Sequence, residues 1–324
     1  MPLPAGKLPS NLLRNLLASL PAFDRSVVVG PHIGEDAAVI DTGGPELLVA
    51  KTDPITFAAE DLPRYLLAVN GNDLATVGAT PRWLLVTALL PEGIAAERAA
   101  SLFNGLKEAC AETGISLVGG HTEITVGLDR PILVGCLLGT VPRDRLVRTS
   151  GARIGDAVLL AGGIAIEGTA ILAREYAGAL RVRGVPQAVI DAAAAWLRSP
   201  GISVLPAARA LNATGALHAM HDPTEGGLAT ALQELAEAAG VGLRIDFSAV
   251  PVLPECRIIC DALDLDPLGL LASGALLATL DPAEVPAALE RFPAAVIGNV
   301  VAPAEATPLP TFARDELARF LEAQ

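Results

Sequence analysis

Short aliphatic runs alternate with helix-length amphipathic stretches along both halves of the chain, and several runs stop at a glycine or an aspartate. That alternation calls for an α/β (α+β) fold, with sheets covered by helices. In the first half, strands are expected at Val27–Val29, Ala37–Ile40, Leu47–Ala50, Pro81–Leu90, Ile115–Val118 and Pro131–Thr140. The second and third flank Thr42-Gly43-Gly44-Pro45 and read as a hairpin. Arg64–Val77 and Ala95–Thr113 read as helices, the latter closed by Gly114. Leu12, Leu13, Leu16, Leu17 and Leu20 fall at helical spacing behind Ser10, a capping residue, and their face is expected to pack.

The texture changes at Arg143, Arg145, Arg148 and Arg153, and the domain boundary is set there: residues 1–150 and 151–324. Beyond it, strands are expected at Asp156–Leu160, Ala216–Met220, Leu243–Phe247, Gly274–Leu280 and Val296–Val301. Helices are expected at Thr169–Tyr176, Gln187–Arg198, Pro206–Asn212, Leu228–Ala239, Cys256–Leu263 and Pro286–Arg291. A chain of 324 residues is long enough for two such domains.

Hydrophobic residues are 52% of the chain but aromatics only 3%, so the cores must be aliphatic. A net charge of −13 argues against nucleic acid or an anionic membrane as partner. It leaves a nucleotide open, because Mg²⁺ can bridge carboxylates to phosphates. Cys110 and Cys136 read as buried thiols. Cys256 and Cys260, four apart, form a helical pair without the further Cys or His that zinc requires. There is no signal-peptide pattern and no apolar run near the roughly 20 residues of a membrane span. A soluble, cytoplasmic protein is expected.

The chemistry-bearing motifs are short and acidic. In Gly34-Glu35-Asp36-Ala37-Ala38, small residues let a backbone approach a ligand and Asp36 presents a carboxylate, or Asp36 is simply a turn residue. Lys51-Thr52-Asp53-Pro54 follows a strand. Lys51, one of three lysines, suits a phosphate or a carboxylate, although Thr-Asp before Pro is also an ordinary strand exit. Asn70, Asn72 and Asp73 interrupt a helix of Leu, Ala and Val, where polar groups are costly unless paired. Gly119-Gly120-His121-Thr122-Glu123 closes a strand, where open α/β sheets place ligands, and His121 and Glu123 suit metal or acid–base work. Two loop side chains facing solvent are the plainer alternative.

His221-Asp222-Pro223-Thr224-Glu225-Gly226-Gly227 enters a helix. Asp222 or Thr224 can cap it, and free N–H groups near Gly226 and Gly227 would receive an anion. His32 sits in a Gly/Pro loop. Hard oxygen ligands beside glycine-rich backbone suit Mg²⁺ and a polyphosphate. No P-loop, dinucleotide fingerprint or nucleophile elbow is present, so any nucleotide is held in another manner.

In this order the blocks Gly34–Ile40, Thr52-Asp53, Asn72–Pro81, Gly119–Glu123 and His221–Leu228 resemble the AIR synthase (PurM-like) superfamily. That superfamily includes thiamine-monophosphate kinase, selenophosphate synthetase, formylglycinamidine ribonucleotide synthase and the HypE hydrogenase maturation proteins. Leu265-Asp266-Pro267-Leu268 followed by Ala272-Ser273-Gly274 is most similar to HypE and the AIR synthase-related proteins near it. The resemblance implies an N-terminal ATP-binding domain whose strands pair with a second subunit, and a C-terminal α/β domain. It implies Mg²⁺ on Asp36, Asp53 and Asp73, with Glu123 and Asp222 as further ligands. Gly34, Glu35, Thr52, Asn70, Asn72, Gly119, Gly120, Thr224, Glu225, Gly226 and Gly227 would lie near the nucleotide, and His32, His121 and Lys51 would carry chemistry.

The activity it implies is ATP-driven: phosphoryl transfer to a small molecule or carrier group, or phosphorylation of an amide-type oxygen. A nucleotide-binding dimer that docks to a maturation factor is the alternative, and a thiamine-monophosphate-kinase-like reaction is a further one. HypE proteins end in a Cys that carries the modified group. This chain ends Phe320-Leu321-Glu322-Ala323-Gln324 and its last thiol is Cys260, so self-modification is not expected. Selenophosphate synthetases use an N-terminal thiol or selenol, and no Cys precedes Cys110 here.

Overall fold

The chain enters through helix α1 (Ser10–Leu17) in a computed structural model that describes residue 3 and residues 7–21, 24–56, 58 and 60–322. Two units divide it. The N-terminal unit comprises Asp24–Gly30 and Asp36–Leu146, and the C-terminal unit comprises Met1–Phe23, Pro31–Glu35 and Val147–Gln324. Each is an α/β layer with its own sheet. Among the described residues no helix is long and apolar enough to cross a membrane.

The N-terminal unit runs β1 (Val27–Val29), β2 (Ala38–Ile40), β3 (Glu46–Ile55), α2 (Leu62–Thr76), β4 (Thr80–Pro91), α3 (Ala96–Thr113), β5 (Ser116–Thr125) and β6 (Ile132–Pro142). Its sheet order is β1-β2-β3-β6-β4-β5. The hairpin β2–β3 forms as expected. On β3, Leu47, Val49, Lys51, Asp53 and Ile55 share one face by the period of two. Leu47, Val49 and Ile55 are buried on it, so two charged residues interrupt an otherwise apolar face. Helix α2 buries Leu62, Tyr65, Leu66 and Leu74 and, with them, Asn70, Asn72 and Asp73. Gly114 closes α3 in the left-handed conformation that glycine adopts without strain.

Gly119–Glu123 does not close its strand. β5 continues through it to Thr125, paired in parallel with β4 from Leu85↔Gly119 to Pro91↔Thr125. The register slips between Leu84↔Leu117 and Leu85↔Gly119, leaving Val118 unmatched as a bulge. At Gly120 (φ +151°) a Cβ would lie 1.9 Å from the Val86 carbonyl oxygen. The glycine is therefore required by strand packing. β5 is an edge strand exposed on both faces, with Val118 and Ile124 each more than half exposed.

The C-terminal unit continues with β7 (Ala157–Ala161), α4 (Ile166–Glu175), α5 (Ala177–Val182), α6 (Gln187–Ala194), α7 (Leu205–Asn212), β8 (Leu217–His221), α8 (Gly227–Ala239) and β9 (Gly242–Ile245). It ends with α9 (Pro254–Leu263), β10 (Leu276–Leu280), α10 (Val285–Arg291), β11 (Ala294–Val301) and α11 (Glu316–Glu322). Its sheet order is β8-β10-β7-β11-β9. The core is aliphatic, built from Leu160, Leu228, Leu232, Leu235, Leu277 and Ile297 among others. β10 pairs antiparallel with both β7 and β8, matching Leu276 to Ala161 and Leu277 to His221. The C-terminal ends of β7 and β8 therefore lie at the same end of the sheet.

Three expectations are corrected. α6 ends as an α-helix at Ala194 rather than Arg198, and the chain goes on into a π-helical turn, Leu197–Gly201, that contains Arg198 and Pro200. α1 begins after Pro9, so the cap position is not Ser10, whose side chain lies outside the described residues. Its leucine face is only partly packed: Leu13 and Leu17 are half-buried, while Leu12, Leu16 and Leu20 are exposed, Leu16 at 52%. Polar contacts hold this segment instead, Arg14 donating to Glu237 of α8 through Nε and Nη2 (2.9 and 2.6 Å).

Gly120→Ala is expected to destabilise the protein by about 2–4 kcal/mol, because the added methyl overlaps the β4 backbone. Chemical denaturation measures it, and a loss below about 0.5 kcal/mol would show that the two strands separate freely at this point.

Candidate functional site

The charged interruption of β3 meets the polar interruption of α2. Lys51 Nζ lies 3.3 Å from Asp53 Oδ2 and 3.3 Å from Asp73 Oδ2. Asp73 is nearly buried, at 6% of its side chain exposed, while Lys51 (23%) and Asp53 (31%) reach partly into solvent. Burying a carboxylate is costly unless a cation or donors accompany it. Here an ammonium stands between two carboxylates that come from different elements. The pair offers hard oxygen donors of the kind Mg²⁺ takes.

Asn70 is what aligns the two elements. Its Oδ1 accepts the Asp53 N–H (3.0 Å), and its Nδ2 donates to the carbonyls of Leu66 (2.9 Å) and Asp53 (3.4 Å). The side chain sequence reasoning assigned to a ligand thus clamps α2 to β3. Gly135 of β6 faces it, and a Cβ there would come within 2.9 Å of Asn70 Nδ2. Asn72 is fully buried one step along α2, and Thr52 is exposed on the other face of β3.

Other predicted residues lie elsewhere. Asp53 pairs across the sheet with Gly135, Gly135 with Val86, and Val86 with Gly120. Three strand spacings of about 4.8 Å put Gly119 and Gly120 roughly 14 Å from Thr52 and Asp53. His121 and Glu123 point to the same side of β5, Nε2 to Oε2 3.1 Å, and Thr125 donates to Glu123 (2.8 Å). The Thr125 and His121 hydrogen bonds hold Glu123 below the usual carboxylate range. This pair is solvent-exposed and does not join the Lys51 group within one chain. Asp36 is half-buried at the start of the main segment of the N-terminal unit.

In the C-terminal unit, His32 is exposed in a turn whose carbonyl accepts the Glu35 N–H (3.3 Å). Gly34 has φ +82°, and a Cβ there would sit 2.8 Å from the Glu234 carbonyl oxygen of α8. Glu35 accepts from the Ser150 hydroxyl (2.5 Å) and from the Ser150 N–H (3.3 Å).

The His221–Gly227 loop lies at the end of β8, and its helix is not capped by Asp222 or Thr224. Asp315, 89 residues away, accepts the Gly226 N–H (2.7 Å) and also the Leu317 N–H (2.7 Å). The Gly227 N–H goes to the Thr224 carbonyl (3.0 Å) and the Ala229 N–H to the Leu268 carbonyl (3.0 Å). The donors expected to receive an anion are therefore already engaged. Gly226 (φ +81°) and Gly227 (φ +66°) owe their identity to this tight entry, where a Cβ on Gly227 would meet the Leu268 oxygen at 2.4 Å.

Acids crowd this end of the sheet. Asp222, Glu167 and Asp315 are each at least nine-tenths buried. Burial pushes Glu167 up to about 8; a hydrogen bond from Ser273 opposes this, and the charges of Glu225, Asp315 and Asp222 add to it. Burial likewise raises Asp315 to about 6 against its backbone donors. Glu234 behaves oppositely. Burial would raise it, but Lys7 and His221 outweigh that and hold it at about 2. Lys7 Nζ lies 3.4 Å from Glu234 Oε1, 3.1 Å from Thr224 Oγ1 and 3.8 Å from Glu225 Oε2. His221 Nε2 is 3.0 Å from Glu234 Oε2.

Glu167, Glu234, Asp315 and Lys7 were missed from sequence. Glu167 was findable, since it interrupts Ile166–Ala173 as Asp73 interrupts α2. Asp315 and Lys7 act across the chain and carry no local signal. Cys256 and Cys260 do lie on one helix, both buried, with sulfurs 3.9 Å apart.

Comparison with known proteins follows the same two-part division. The N-terminal domain of the AIR synthase related proteins matches residues 34–141, and their C-terminal domain matches residues 153–308. The carbamoyl dehydratase HypE of Cupriavidus necator is 31% identical over 295 residues, covering 88% of this chain and 78% of that protein. A selenide, water dikinase of Aeromonas hydrophila is 32% identical over 266 residues, covering 77% and 70%. A crystal structure of the hydrogenase maturation protein HypE in complex with ATP is 25% identical, with a TM-score of 0.67, covering 92% of this chain and 88% of that one.

Glu167 makes stability fall with rising pH. Folded and unfolded forms both hold its proton below about 4.5; between there and about 8 only the folded form does, so stability is lost as pH rises through that window. Glu167→Gln should flatten the decline between pH 6 and 8, measured by urea denaturation across pH. An unchanged slope would mean that Glu167 ionises freely.

Proposed function

The chain belongs to the AIR synthase related protein family, and from that premise we propose that it is an ATP- and Mg²⁺-dependent enzyme. It phosphorylates a small molecule or carrier group, or activates an amide-type oxygen by phosphorylating it. The observation that carries this reading is the Lys51–Asp53–Asp73 group, two carboxylates and an ammonium held at one strand face.

The donor set fits the cation. Asp53 and Asp73 would hold Mg²⁺, and when bound it would neutralise phosphate charge and hold the phosphates in place. Lys51 is tethered to both carboxylates, and its ammonium, on a four-carbon stem, can shift toward a phosphate oxygen. Asn70 keeps α2 and β3 in register so that the pair stays aligned. Phosphoryl transfer needs little covalent help from a protein; positioning and charge neutralisation do most of the work. Thr52 and Asn72 are proposed beside the nucleotide. Asp36, Glu123 and Asp222 are carried as further ligand proposals on the resemblance alone, and His32 and His121 as catalytic ones.

A homodimer is part of the reading. β5 is an unpaired edge with apolar side chains exposed on it, which a second copy would cover, and such edges otherwise invite aggregation. ATP use fits work in the cytoplasm. Relatives of comparable identity differ in activity by name, one a dehydratase and one a dikinase. The acceptor is therefore proposed only as a class.

Asp73→Asn and Asp53→Asn should each weaken Mg-ATP binding at least tenfold by calorimetry. Lys51→Met should reduce phosphate release from ATP by about a hundredfold, the size of effect seen when one charge-stabilising donor is removed. Wild-type affinity in both aspartate variants would put the site elsewhere. Binding with no turnover against any acceptor would favour a non-catalytic dimer that docks to a maturation factor.

A further inference from the structure

The family match ends at residue 308, yet the residues after it make the contacts that shape the His221–Gly227 loop. Residues 309–322 run as a strap over the C-terminal unit. Leu309 packs on the core, and the Pro310 carbonyl accepts from Gln233 of α8 (2.6 Å). The Phe312 ring lies against Gly269, where a Cβ would come within 2.7 Å of it. α11 ends the strap, and its Phe320 ring meets Tyr176 edge-on with centroids 5.1 Å apart.

Two adjacent carboxylates of the strap, both more than nine-tenths buried, hold two different loops. Asp315 Oδ2 accepts the N–H of Gly226, the N-cap residue of α8 (2.7 Å), and the Leu271 N–H also supports its charge. Glu316 Oε2 accepts the Asp266 N–H (3.0 Å), and the Glu316 N–H donates to the Gly269 carbonyl (3.0 Å). The two loops touch where the Ala272 N–H meets the Thr224 carbonyl (3.3 Å). A cap residue ordinarily offers its own side-chain oxygen to the first turn. Gly226 has none, and Asp315 takes that place from outside the matched domain.

We propose that Asp315 is a positioning residue for the His221–Gly227 loop. It touches no ligand; it fixes the path of the loop, and with it the place of Asp222 and Thr224 in the reaction. The inference rests on the ATP-dependent reading above. Lys51, Asp53 and Asp73 lie in the other unit and keep their own contacts whatever Asp315 does. Loss of Asp315 therefore acts on turnover more than on nucleotide binding, since a displacement of about 1 Å far from the chemistry can cost about a hundredfold in rate.

The experiment uses the full chain as wild type, Asp315→Asn, Asp315→Ala and Glu316→Gln. Phosphate release from Mg-ATP gives kcat and KM, amide hydrogen exchange reads residues 224–229, and thermal unfolding reads the fold. Asp315→Asn leaves one acceptor oxygen where two N–H groups, of Gly226 and Leu317, now have one each. Both Asp315 variants should speed exchange in the loop and lower kcat by about tenfold or more, with KM for ATP within about threefold of wild type. Glu316→Gln neutralises an equally buried carboxyl of the same strap. It should keep kcat within about threefold of wild type, even where it lowers Tm as far as Asp315→Asn does.

The proposal is overturned if both Asp315 variants keep wild-type kcat, or if their loss falls on KM alone. It is equally overturned if Glu316→Gln loses as much kcat as Asp315→Asn, since the strap would then only stabilise the unit. Should Asp315→Ala unfold, the isosteric Asp315→Asn carries the test. A wild type that releases no phosphate brings down the proposed function, and the role in turnover with it. Loop exchange still decides separately whether Asp315 is the anchor, and wild-type exchange in the Asp315 variants would show that it is not.

Discussion

Two like charges at the inner face of β3 and on α2 can be kept together only if something positive stands between them. Lys51 does so, equidistant from Asp53 and Asp73. Much of the N-terminal unit serves that arrangement. Asn70 ties the Asp53 backbone to α2, Gly135 leaves room for Asn70, and the apolar residues of α2 bury Asp73 deeply enough for its charge to count. Removing one partner of a buried charge pair typically costs several kcal/mol. The same balance makes the spot attractive to an incoming cation, which would free the lysine for other work.

The C-terminal unit handles its acids differently. Asp315 is satisfied by backbone donors, Glu234 by Lys7 and His221, and Glu167 keeps its proton to near neutrality. Three neighbouring carboxyl groups thus rest in three electrostatic conditions. Each is set by what lies within a few ångströms: peptide N–H groups, cationic side chains, or neither. None of these conditions is predictable from residue type alone.

What was legible in the sequence was local. The β2–β3 hairpin and the end of α3 at Gly114 rest on turn and capping chemistry within a few residues, and both appear in the structure. The bringing together of Lys51, Asp53 and Asp73 was half legible, because polar residues in apolar patterns announce that they need partners. Which partners they find depends on how α2 crosses the sheet. The extension of β5 was hidden because a parallel ladder with β4 is a tertiary fact, and Gly-Gly reads as a loop to any local rule. The capping of α8 was misread for the same reason, its acceptor being 89 residues away. The exposed leucines of α1 show the converse, a clean helical period that says nothing about whether its face is covered.

The chain visits its two units in an interleaved order: residues up to 23 group with the second, 24–30 with the first, 31–35 with the second again, then 36–146 with the first. Only the latter can be nearly complete while its successor is still emerging from a ribosome. At about 5–20 residues per second, the opening segment waits some tens of seconds for 147–324 to be made. During that interval its leucine-rich helix has no scaffold of its own. Neither unit can be excised as one continuous fragment, so truncation at the apparent midpoint would strand Lys7 and Arg14 from the glutamates they meet. A circular permutant opened near residue 146 would place the opening segment closer along the backbone to the residues it must find.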